Sequence, residues 1–300
     1  MHYDAIIIGG SFAGLSAAMY LARARKTVCV LDTGEPRNRF AAESHGFFAQ
    51  DGSDPKAMLD TMHQQVAAYA TVSFIRDAAV DAFEEDGTFS VALWSGAVIT
   101  GKRLLLSFGI SDIMPKTPGL AERWGASVIH CPYCHGYEFS GQQLGVLNVS
   151  PMSRHQAMLI SEWGPTTIYL DGGNLEAAES QAFTQRGIRI EPVAVERLAG
   201  EGRNLSEIHL ADGRSHGLDA LFIGPHHHLN SAIAEQIGCA IEAGPLGPMV
   251  KVDEMQMTSV PNVFAAGDIT RIAHNVTFAC ADGVMAAMAM HRSLALEVAP

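Results

Sequence analysis

The segment "HCPYCHGYE", residues 130–138, contains the side chains best suited to chemistry in this chain. Two residues separate Cys131 from Cys134, and His130 and His135 flank the pair. A cysteine pair with this spacing forms a redox dithiol, supplies half of a zinc site or, when His follows it, attaches a c-type haem. These residues alone do not choose between the three chemistries, so the elements that position them must.

The bulk composition excludes several classes of partner. The chain has 300 residues, of which 48% are hydrophobic and 17% charged, and this predicts a compact protein with two domains or one large one. A net charge of −12 argues against nucleic acid, because phosphates need a basic surface. The sequence has no run of eighteen apolar residues, so no membrane partner is expected. The start "MHYDAIIIGG" enters a strand without a basic leader, which predicts a cytoplasmic protein.

The first third of the chain predicts a strand, a helix and a second strand. "DAIIIGG" (4–10) is an apolar, β-branched run that ends at glycine, as in a buried parallel strand. "FAGLSAAMYLARAR" (12–25) has helical spacing with basic residues in its last turn, and "TVCVLD" (27–32) is the second strand. Residues 71–106 alternate in polarity and are broken by glycine turns, which predicts antiparallel hairpins.

A second α/β pattern follows the cysteine pair. It consists of predicted strands at 143–149, 166–173, 217–225 and 260–268 and predicted helices at 151–163 and 283–298. We interpret the long final helix as a core helix beneath the first domain, because one of its faces is apolar. The fold class is therefore α/β, with two similar units.

The turn "GGSFAG" after the first predicted strand has the position of a dinucleotide fingerprint. Gly9 and Gly14 fill the first and third glycine positions, Ser11 stands at the second, and Gly10 keeps the turn flexible. Asp32 ends the second strand, 32 − 9 = 23 residues after Gly9, where an acidic side chain binds a ribose. The alternative is a tight strand-to-helix turn that binds no ligand.

A second cofactor motif, "VFAAGDIT", lies near the C-terminal end. In flavoproteins with two dinucleotide folds, a Gly-Asp such as Gly267–Asp268 binds the ribityl chain of FAD, whereas the simpler interpretation is a capped helix start. Together with the fingerprint, the motif favours FAD over NAD in the first domain.

With these motifs in place, the chain resembles low-molecular-weight thioredoxin reductases over nearly its whole length. The matching features are the fingerprint, "GEPRNR", "LLLSFG", the Cys-x-x-Cys, "VFAAGD" and "NVTFACADGVMAA", in that order. The resemblance implies two Rossmann-like three-layer domains, in which an FAD domain (1–111 and 226–300) is interrupted by a smaller nicotinamide-type domain (112–225) that carries the cysteines. It also implies a homodimer. The residues expected to bind FAD are Gly9, Ser11, Phe12, Ala13, Gly14, Asp32, Arg39, His45, Val80, Gly109, Gly267, Asp268, Asn275 and Val276.

One departure from this family lies beside the dithiol. Thioredoxin reductases carry an Asp after the second cysteine as the acid–base group, whereas this chain has His135. "HCPYCHGYE", "GEPRNR" and "HGFFAQDG" are similar to the FAD-dependent dithiol oxidases of gliotoxin-oxidase type, in which a histidine takes up the proton.

A second departure lies in the nicotinamide-type domain. After the strand "LGVLNV" the sequence continues "SPMSRHQA" without Gly-x-Gly, and Pro151 lacks the amide hydrogen that a phosphate needs. Asp171 would repel a 2′-phosphate, although an acid there would suit the ribose of NADH. We therefore expect no NADPH binding of the ordinary kind.

These features decide among the three chemistries of the cysteine pair. A zinc site needs about four ligands, and Cys29, Cys239 and Cys280 stand alone in apolar contexts, so no metal site is expected. A c-type haem requires export, and the start of the sequence predicts no export leader, so haem attachment is not expected. The remaining chemistry is a flavin-coupled dithiol. By family order, Cys131 exchanges with substrate and Cys134 contacts the flavin, while His135, helped by His130, shuttles the proton.

The predicted activity is that of an FAD-dependent oxidoreductase acting on sulfur groups. It would exchange electrons between a substrate thiol pair, the Cys131–Cys134 couple and FAD, with O₂ or another acceptor or donor and without NADPH. Two alternatives remain open: a thioredoxin reductase driven by NAD(P)H or ferredoxin, and a non-catalytic flavin-binding redox sensor. The substrate is a small dithiol or disulfide, or a thioredoxin-like protein, and no residue pattern distinguishes them.

Overall fold

The computed structural model describes residues 2–296 as a mixed α/β protein. The strands, numbered along the chain, are β1 (His2–Ile8), β2 (Val28–Leu31), β3 (Val72–Ile75), β4 (Ala79–Glu85), β5 (Thr88–Leu93), β6 (Val98–Leu106), β7 (Ile110–Asp112), β8 (Val128–Ile129), β9 (Leu144–Leu147), β10 (Thr166–Tyr169), β11 (Arg189–Glu191), β12 (Val195–Ala199), β13 (Glu207–Leu210), β14 (Ser215–Gly217), β15 (Ala220–Phe222), β16 (His227–Leu229), β17 (Ile241–Ala243), β18 (Pro248–Val250) and β19 (Val263–Ala265).

The helices connect these strands and cover their sheets. They are α1 (Phe12–Arg23), α2 (Pro55–Ala67), α3 (Pro132–His135), α4 (Met152–Ile160), α5 (Ala177–Gln185), α6 (Ile233–Gln236) and α7 (Val276–Ala295). Short 3₁₀ turns span Arg37–Phe40, Ala121–Arg123, Tyr137–Phe139 and Asp268–Thr270. Within residues 2–296, no helix combines the length and the apolar character needed to cross a membrane.

The chain separates into two compact units. The described residues of the first lie within Met1–Arg37, Lys56–Ser111 and His228–Pro300, and the second comprises Asn38–Pro55 and Asp112–His227. The predicted domain boundaries 1–111, 112–225 and 226–300 differ from these units chiefly in the segment Asn38–Pro55, which groups with the second unit. The assignment of the units to FAD and nicotinamide remains a proposal.

The first unit is built on a seven-stranded sheet with the order β3-β2-β1-β6-β5-β4. Strands β1, β2, β3 and β6 run parallel, and β19 pairs in parallel with the second half of β6, whose first half pairs with β5. β1 and β2 lie at the centre of this sheet, so their apolar side chains are buried on both faces.

The prediction that residues 71–106 form only antiparallel hairpins was wrong in part. β4, β5 and β6 do form an antiparallel meander, but β3 pairs in parallel with β2 and β6 in parallel with β1. The reason is α2, which carries the chain from the end of β2 back to the start of β3 as a crossover. The spacing of polar and apolar residues in a short strand does not reveal the direction of its partner.

The second unit has a parallel five-stranded sheet with the order β11-β10-β9-β15-β8 and an antiparallel sheet with the order β12-β13-β14. Two units with parallel sheets and crossover helices confirm the predicted α/β fold class.

The final helix, α7, starts seven residues earlier than the predicted 283–298. Its predicted last residues, 297 and 298, lie outside the described part of the chain. A Cβ atom on Gly283 would lie 2.1 Å from the carbonyl oxygen of Ala13, so α7 packs directly on the backbone of α1. This contact places the start of α7 beside the fingerprint turn.

Candidate active site

The fingerprint turn between β1 and α1 leaves no room for side chains at two of its glycines. Gly9 has a φ of +110°, and a Cβ atom there would lie 2.1 Å from the carbonyl oxygen of Ser107. A Cβ atom on Gly14 would lie 1.8 Å from the carbonyl oxygen of Gly9. The two glycines thus allow the chain to turn at the end of β1 and start α1 with its first amides facing outward.

Asp32 lies where the fingerprint places its acid, at the end of β2. Its Oδ1 accepts a hydrogen bond of 3.2 Å from the Gly10 amide, so the carboxylate is held against the turn. The side chain of Ser11, at the N-cap of α1, makes no capping hydrogen bond within the described residues. The first-turn amides, including those of Phe12 and Ala13, are therefore not capped by that hydroxyl.

The C-terminal Gly-Asp meets this turn from the other side. Gly267 has a φ of +83°, and a Cβ atom there would lie 3.1 Å from the Cβ of Ala13 and 3.9 Å from that of Ala279. Gly267 thus lies between the first turns of α1 and α7. Asn275 caps α7, just before Val276, by accepting a hydrogen bond of 2.7 Å from the Phe278 amide. Two helix N-termini therefore converge here, and their partial positive charges favour a pyrophosphate.

Asp268 carries an ion pair that the sequence did not reveal. Its Oδ2 accepts from Nη1 of Arg37 at 3.1 Å, and the same Nη1 lies 2.8 Å from Nδ1 of His274. Arg37 stands in "GEPRNR" and is the last residue of the first segment of the first unit, so its side chain ties the end of this segment to the Gly-Asp motif.

The other residues predicted to bind FAD are more scattered. Gly109 follows β6 with a φ of +71°, and its carbonyl accepts from the Asn230 amide. Val80 is exposed on β4, the edge strand, which is three strands away from β1. Arg39 stacks on the ring of Phe40, with its Cζ 4.3 Å from the ring centroid. His45 lies in the second unit, as does Arg39.

The dithiol lies at the start of α3, directly after β8. Cys131 is the N-cap residue, and its carbonyl oxygen accepts from the amides of Cys134 and His135, each at 3.3 Å. This turn brings Cys134 and His135 back over Cys131. Both cysteines are half-buried thiols in the structure.

The surroundings of His135 lower its pKa. Burial lowers its pKa, a nearby Glu138 opposes that effect, and His45 lowers the pKa further. The ring of His45 lies edge to face with that of His135, with centroids 5.8 Å apart. His135 is therefore more neutral, and more ready to accept a proton, than an exposed histidine.

His130 is held by backbone instead. Its Nδ1 donates to the carbonyl oxygen of Ile223 at 3.2 Å, and its own carbonyl oxygen accepts from the Gln156 side chain at 2.7 Å. These bonds fix the strand end from which the dithiol projects.

Aromatic rings surround the dithiol. Tyr133, between the two cysteines, is 72% exposed, and Tyr137 is 83% exposed. The ring of Tyr133 meets that of Trp163 edge to face, with centroids 5.8 Å apart. The arrangement exposes aromatic surface on the segment that carries the dithiol.

Backbone amides of the turn after β9 are hydrogen-bonded within the turn itself. The amides of Val149 and Ser150 donate to Oγ of Ser153 at 3.1 and 3.2 Å, and Pro151 has no amide hydrogen. Nη1 of Arg154 pairs with Glu179 at 2.7 Å. These groups border a cleft of about 600 Å³ at the carboxyl end of the parallel sheet, where nucleotides bind in such folds.

Four residues of interest escaped the sequence analysis. They are Arg37, Glu43, Glu138 and Ser153. Each makes a hydrogen bond or ion pair that the local sequence pattern does not predict, although Glu138 stands within "HCPYCHGYE".

Comparison with known proteins assigns the chain to a family. The family model described as pyridine nucleotide-disulphide oxidoreductase matches residues 3–149 and 168–289. The chain belongs to this family. It is a flavin-dependent oxidoreductase that acts on sulfur groups, as the sequence predicted.

Individual relatives of the oxidoreductase agree with this assignment. It is 31% identical to thioredoxin reductase tcpT of Claviceps purpurea over 94% of this chain and 91% of that protein. It is 30% identical to thioredoxin reductase sirT of Leptosphaeria maculans over 95% of this chain and 92% of that protein. Among solved structures, an oxidoreductase from Agrobacterium tumefaciens superposes with a TM-score of 0.94 at 41% identity, covering 99% of this chain and 100% of that one. The predicted resemblance to thioredoxin reductases is confirmed.

The residues of the first unit fit the FAD that this family implies. The fit rests on the glycine-lined turn, the two converging helix N-termini and the acid that ends β2. Gly9, Gly14, Gly267 and Asp32 would hold the cofactor there.

Proposed function

We propose that this oxidoreductase is a dithiol oxidase that passes electrons from a small-molecule dithiol through Cys131 and Cys134 to FAD and on to O₂, without NADPH. The observation that carries the proposal is the turn after β9, in which Ser153 occupies the amides of Val149 and Ser150. A nicotinamide dinucleotide needs such amides for its phosphates. The family match is also interrupted over residues 150–167, which include Ser150, Pro151 and Ser153 of this turn.

The exchange begins at the cysteine disulfide. A substrate thiol loses its proton to a ring nitrogen of His135, and the resulting thiolate attacks Sγ of Cys131, so that the S–S bond breaks and Cys134 leaves as a thiolate. His135 passes its proton to the Cys134 thiolate and takes up the proton of the second substrate thiol. The second substrate thiolate attacks the substrate sulfur of the mixed disulfide and releases Cys131 as a thiolate, which His135 reprotonates. The substrate leaves as a disulfide, and the enzyme retains two electrons as a dithiol.

A bound FAD would supply the acceptor for those two electrons and would pass them to O₂, which would yield hydrogen peroxide. The roles of the two cysteines, with Cys131 exchanging with substrate and Cys134 contacting the flavin, are taken from the family resemblance. The replacement of the usual Asp by His135 supports the oxidase direction, because a neutral imidazole accepts the proton of a thiol. The fungal relatives tcpT and sirT support the predicted gliotoxin-oxidase branch.

The rim of Tyr133, Tyr137 and Trp163 favours a small ring-containing dithiol over a thioredoxin-like protein. The relatives' names favour the second candidate, a thioredoxin reductase that runs in the opposite direction. A homodimer and a cytoplasmic location, expected from the sequence, stay predictions.

An anaerobic titration distinguishes the two directions. FAD-loaded protein is mixed under argon with dithiothreitol, NADPH or NADH, and the flavin absorbance is followed. The oxidase proposal expects bleaching by dithiothreitol, no bleaching by either nucleotide, and recovery in air. Rapid bleaching by NADPH would contradict it and favour the reductase.

A matched variant tests the route of the electrons. Cys131→Ser removes the exchange thiol, so dithiothreitol should no longer bleach the flavin of this variant. Cys239→Ser removes a buried thiol elsewhere and serves as the control, which should bleach like the unmodified protein.

A further inference from the structure

The second unit brings two imidazoles and a carboxylate together beside the dithiol. Single ligand atoms of His45, His135 and Glu138 all lie within 4.8 Å of one another. Nε2 of His45 lies 3.5 Å from Oε1 of Glu138 and 3.4 Å from Oε2 of Glu43. All four residues belong to the same compact unit, although they come from two separate segments of the chain.

The loop that carries His45 is closed on itself. The Ser44 amide donates to the carbonyl oxygen of Ser53 at 2.8 Å, and the Gly52 amide donates to that of Ser44 at 2.9 Å. The side chain of His45 is 17% exposed. The imidazole is therefore placed by a closed loop and not by a free segment.

The far side of the His45 ring also faces a carboxylate. Nδ1 of His45 lies 3.5 Å from Oδ1 of Asp51, and the same oxygen accepts from the Gly46 amide at 2.8 Å. A carboxylate behind one ring nitrogen orients the ring and makes the other nitrogen a better metal ligand. In His45 that other nitrogen, Nε2, faces Glu138.

We propose that His45, His135 and Glu138 form a binding site for a divalent transition metal of the zinc type. Two histidines and one glutamate are a set that zinc accepts, with a further position open for water. Metal–ligand bonds of about 2.0–2.1 Å in a tetrahedron put the ligand atoms roughly 3.3 Å apart. The 3.5 Å between His45 and Glu138 already approaches that spacing, and His135 needs only a small side-chain movement.

The site uses no cysteine, so it differs from the zinc chemistry that the cysteine pair first suggested. No metal site was expected from the sequence, because Cys29, Cys239 and Cys280 stand alone, and His45 is separated from His135 by 135 − 45 = 90 positions. A metal here would occupy a ring nitrogen of His135, the proton acceptor of the proposed mechanism, so metal binding would inhibit dithiol oxidation. That consequence rests on the proposed function, whereas the binding itself does not.

The test uses the FAD-loaded full chain with the Cys131–Cys134 pair oxidised to a disulfide, so that these two thiols beside the site cannot bind metal as thiolates. Zn²⁺ is titrated by calorimetry in a buffer without thiols, and Co²⁺ is added separately to record its visible absorption. We expect one Zn²⁺ ion to bind per protein chain, and we expect a Co²⁺ spectrum typical of tetrahedral coordination by nitrogen and oxygen ligands.

Graded variants identify the ligands. Asp51→Asn, which changes only the carboxylate behind His45, should weaken Zn²⁺ binding by about 10- to 100-fold, and His45→Ala and Glu138→Gln by more than that. His209→Ala is the matched control, because His209 also faces a carboxylate, that of Glu207 at 3.1 Å, in the same unit. This control should bind Zn²⁺ normally.

Two results would overturn the site. One is unchanged Zn²⁺ affinity in His45→Ala and Glu138→Gln with intact flavin absorbance, which shows that the variants are folded. The other is binding that appears only after reduction and disappears in Cys131→Ser/Cys134→Ser, since the metal would then be held by the thiolates. If dithiothreitol failed to bleach the flavin, the Zn²⁺ calorimetry and the Co²⁺ spectrum would still report on the metal site. The oxidase function and the metal site can therefore be disproved independently.

Discussion

The imidazole rings of His45 and His135 meet edge to face, with their centroids 5.8 Å apart. Through this contact a loop far away in the chain holds the histidine that follows the redox cysteines. His45 was expected to bind FAD, which stays a prediction, and it groups with the unit that carries the dithiol. The predictions below test the groups around this contact and the cofactor turn.

Replacing His135 should slow the chemistry without removing the cofactor. In His135→Ala no imidazole accepts the substrate proton, and we expect kcat for dithiol oxidation to fall by about 10²- to 10⁴-fold. The measurement is oxygen consumption with dithiothreitol, together with flavin content.

His130→Ala is the matched comparison. His130 is tied by Nδ1 to the carbonyl oxygen of Ile223, so we expect a smaller loss of kcat than in His135→Ala. A larger loss in His130→Ala would reverse the assignment of the proton carrier.

The five cysteines should differ sharply in reactivity. Burial raises the pKa of Cys29 to about 11 and raises the pKa values of Cys239 and Cys280. Only the thiolate reacts with iodoacetamide, so brief labelling of the reduced native protein at neutral pH should modify Cys131 and Cys134. Peptide mass spectrometry identifies the labelled cysteines. Rapid labelling of Cys29 in the native protein would show that this thiol is not buried.

Gly14→Ala should disturb both the fold and cofactor binding. Its Cβ atom would lie 1.8 Å from the carbonyl oxygen of Gly9, and the backbone must move to relieve the clash. We expect the free energy of unfolding to fall by about 1–3 kcal/mol and flavin content to drop. Thermal unfolding and absorbance measure these effects.

Gly217→Ala is the control for that variant. A Cβ atom at Gly217 meets nothing within 4 Å, so neither stability nor flavin content should fall. Equal effects in the two variants would show that the fingerprint turn is not tightly packed.

Breaking the ion pair between Arg271 and Asp282 should make the free energy of unfolding depend more strongly on pH. Arg271 donates through Nε and Nη2 to the nearly buried carboxylate of Asp282, at 2.8 and 2.6 Å. Burial raises the pKa of Asp282 and Arg271 opposes this. Arg271→Ala leaves the carboxylate without its cation, which should cost about 3 kcal/mol near neutral pH.

The sign of the pH effect follows from the direction of that shift. In Arg271→Ala the folded state holds the Asp282 proton more tightly than the unfolded chain does. The stabilisation by that proton is present in acid and is lost as the pH rises through the raised pKa. The free energy of unfolding that Arg271→Ala loses relative to the unmodified protein should therefore be smaller in acid. Thermal unfolding at mildly acidic and neutral pH measures it. Adding Asp282→Asn to this variant should abolish the pH dependence, and its persistence would point to another group.

Much of the cofactor turn followed from the sequence because its parts are close together in the chain. Gly9, Gly14 and Asp32 lie in one strand–helix–strand unit, and the steric needs of that turn admit few residue types. The same holds for the dithiol, whose cysteines and His135 share a single turn. The fold class followed from the repeated strand and helix periods.

Other relationships depend on long-range packing. The direction of β3, the position of Gly267 between α1 and α7, and the ion pair of Arg37 with Asp268 join segments that are far apart in the chain. The meeting of His45, His135 and Glu138 is of the same kind. Local periodicity records which face of an element is buried, but not which distant element covers it. Those partners are selected when the apolar faces of whole elements pack together, and the polar side chains at their ends are then brought within reach of one another.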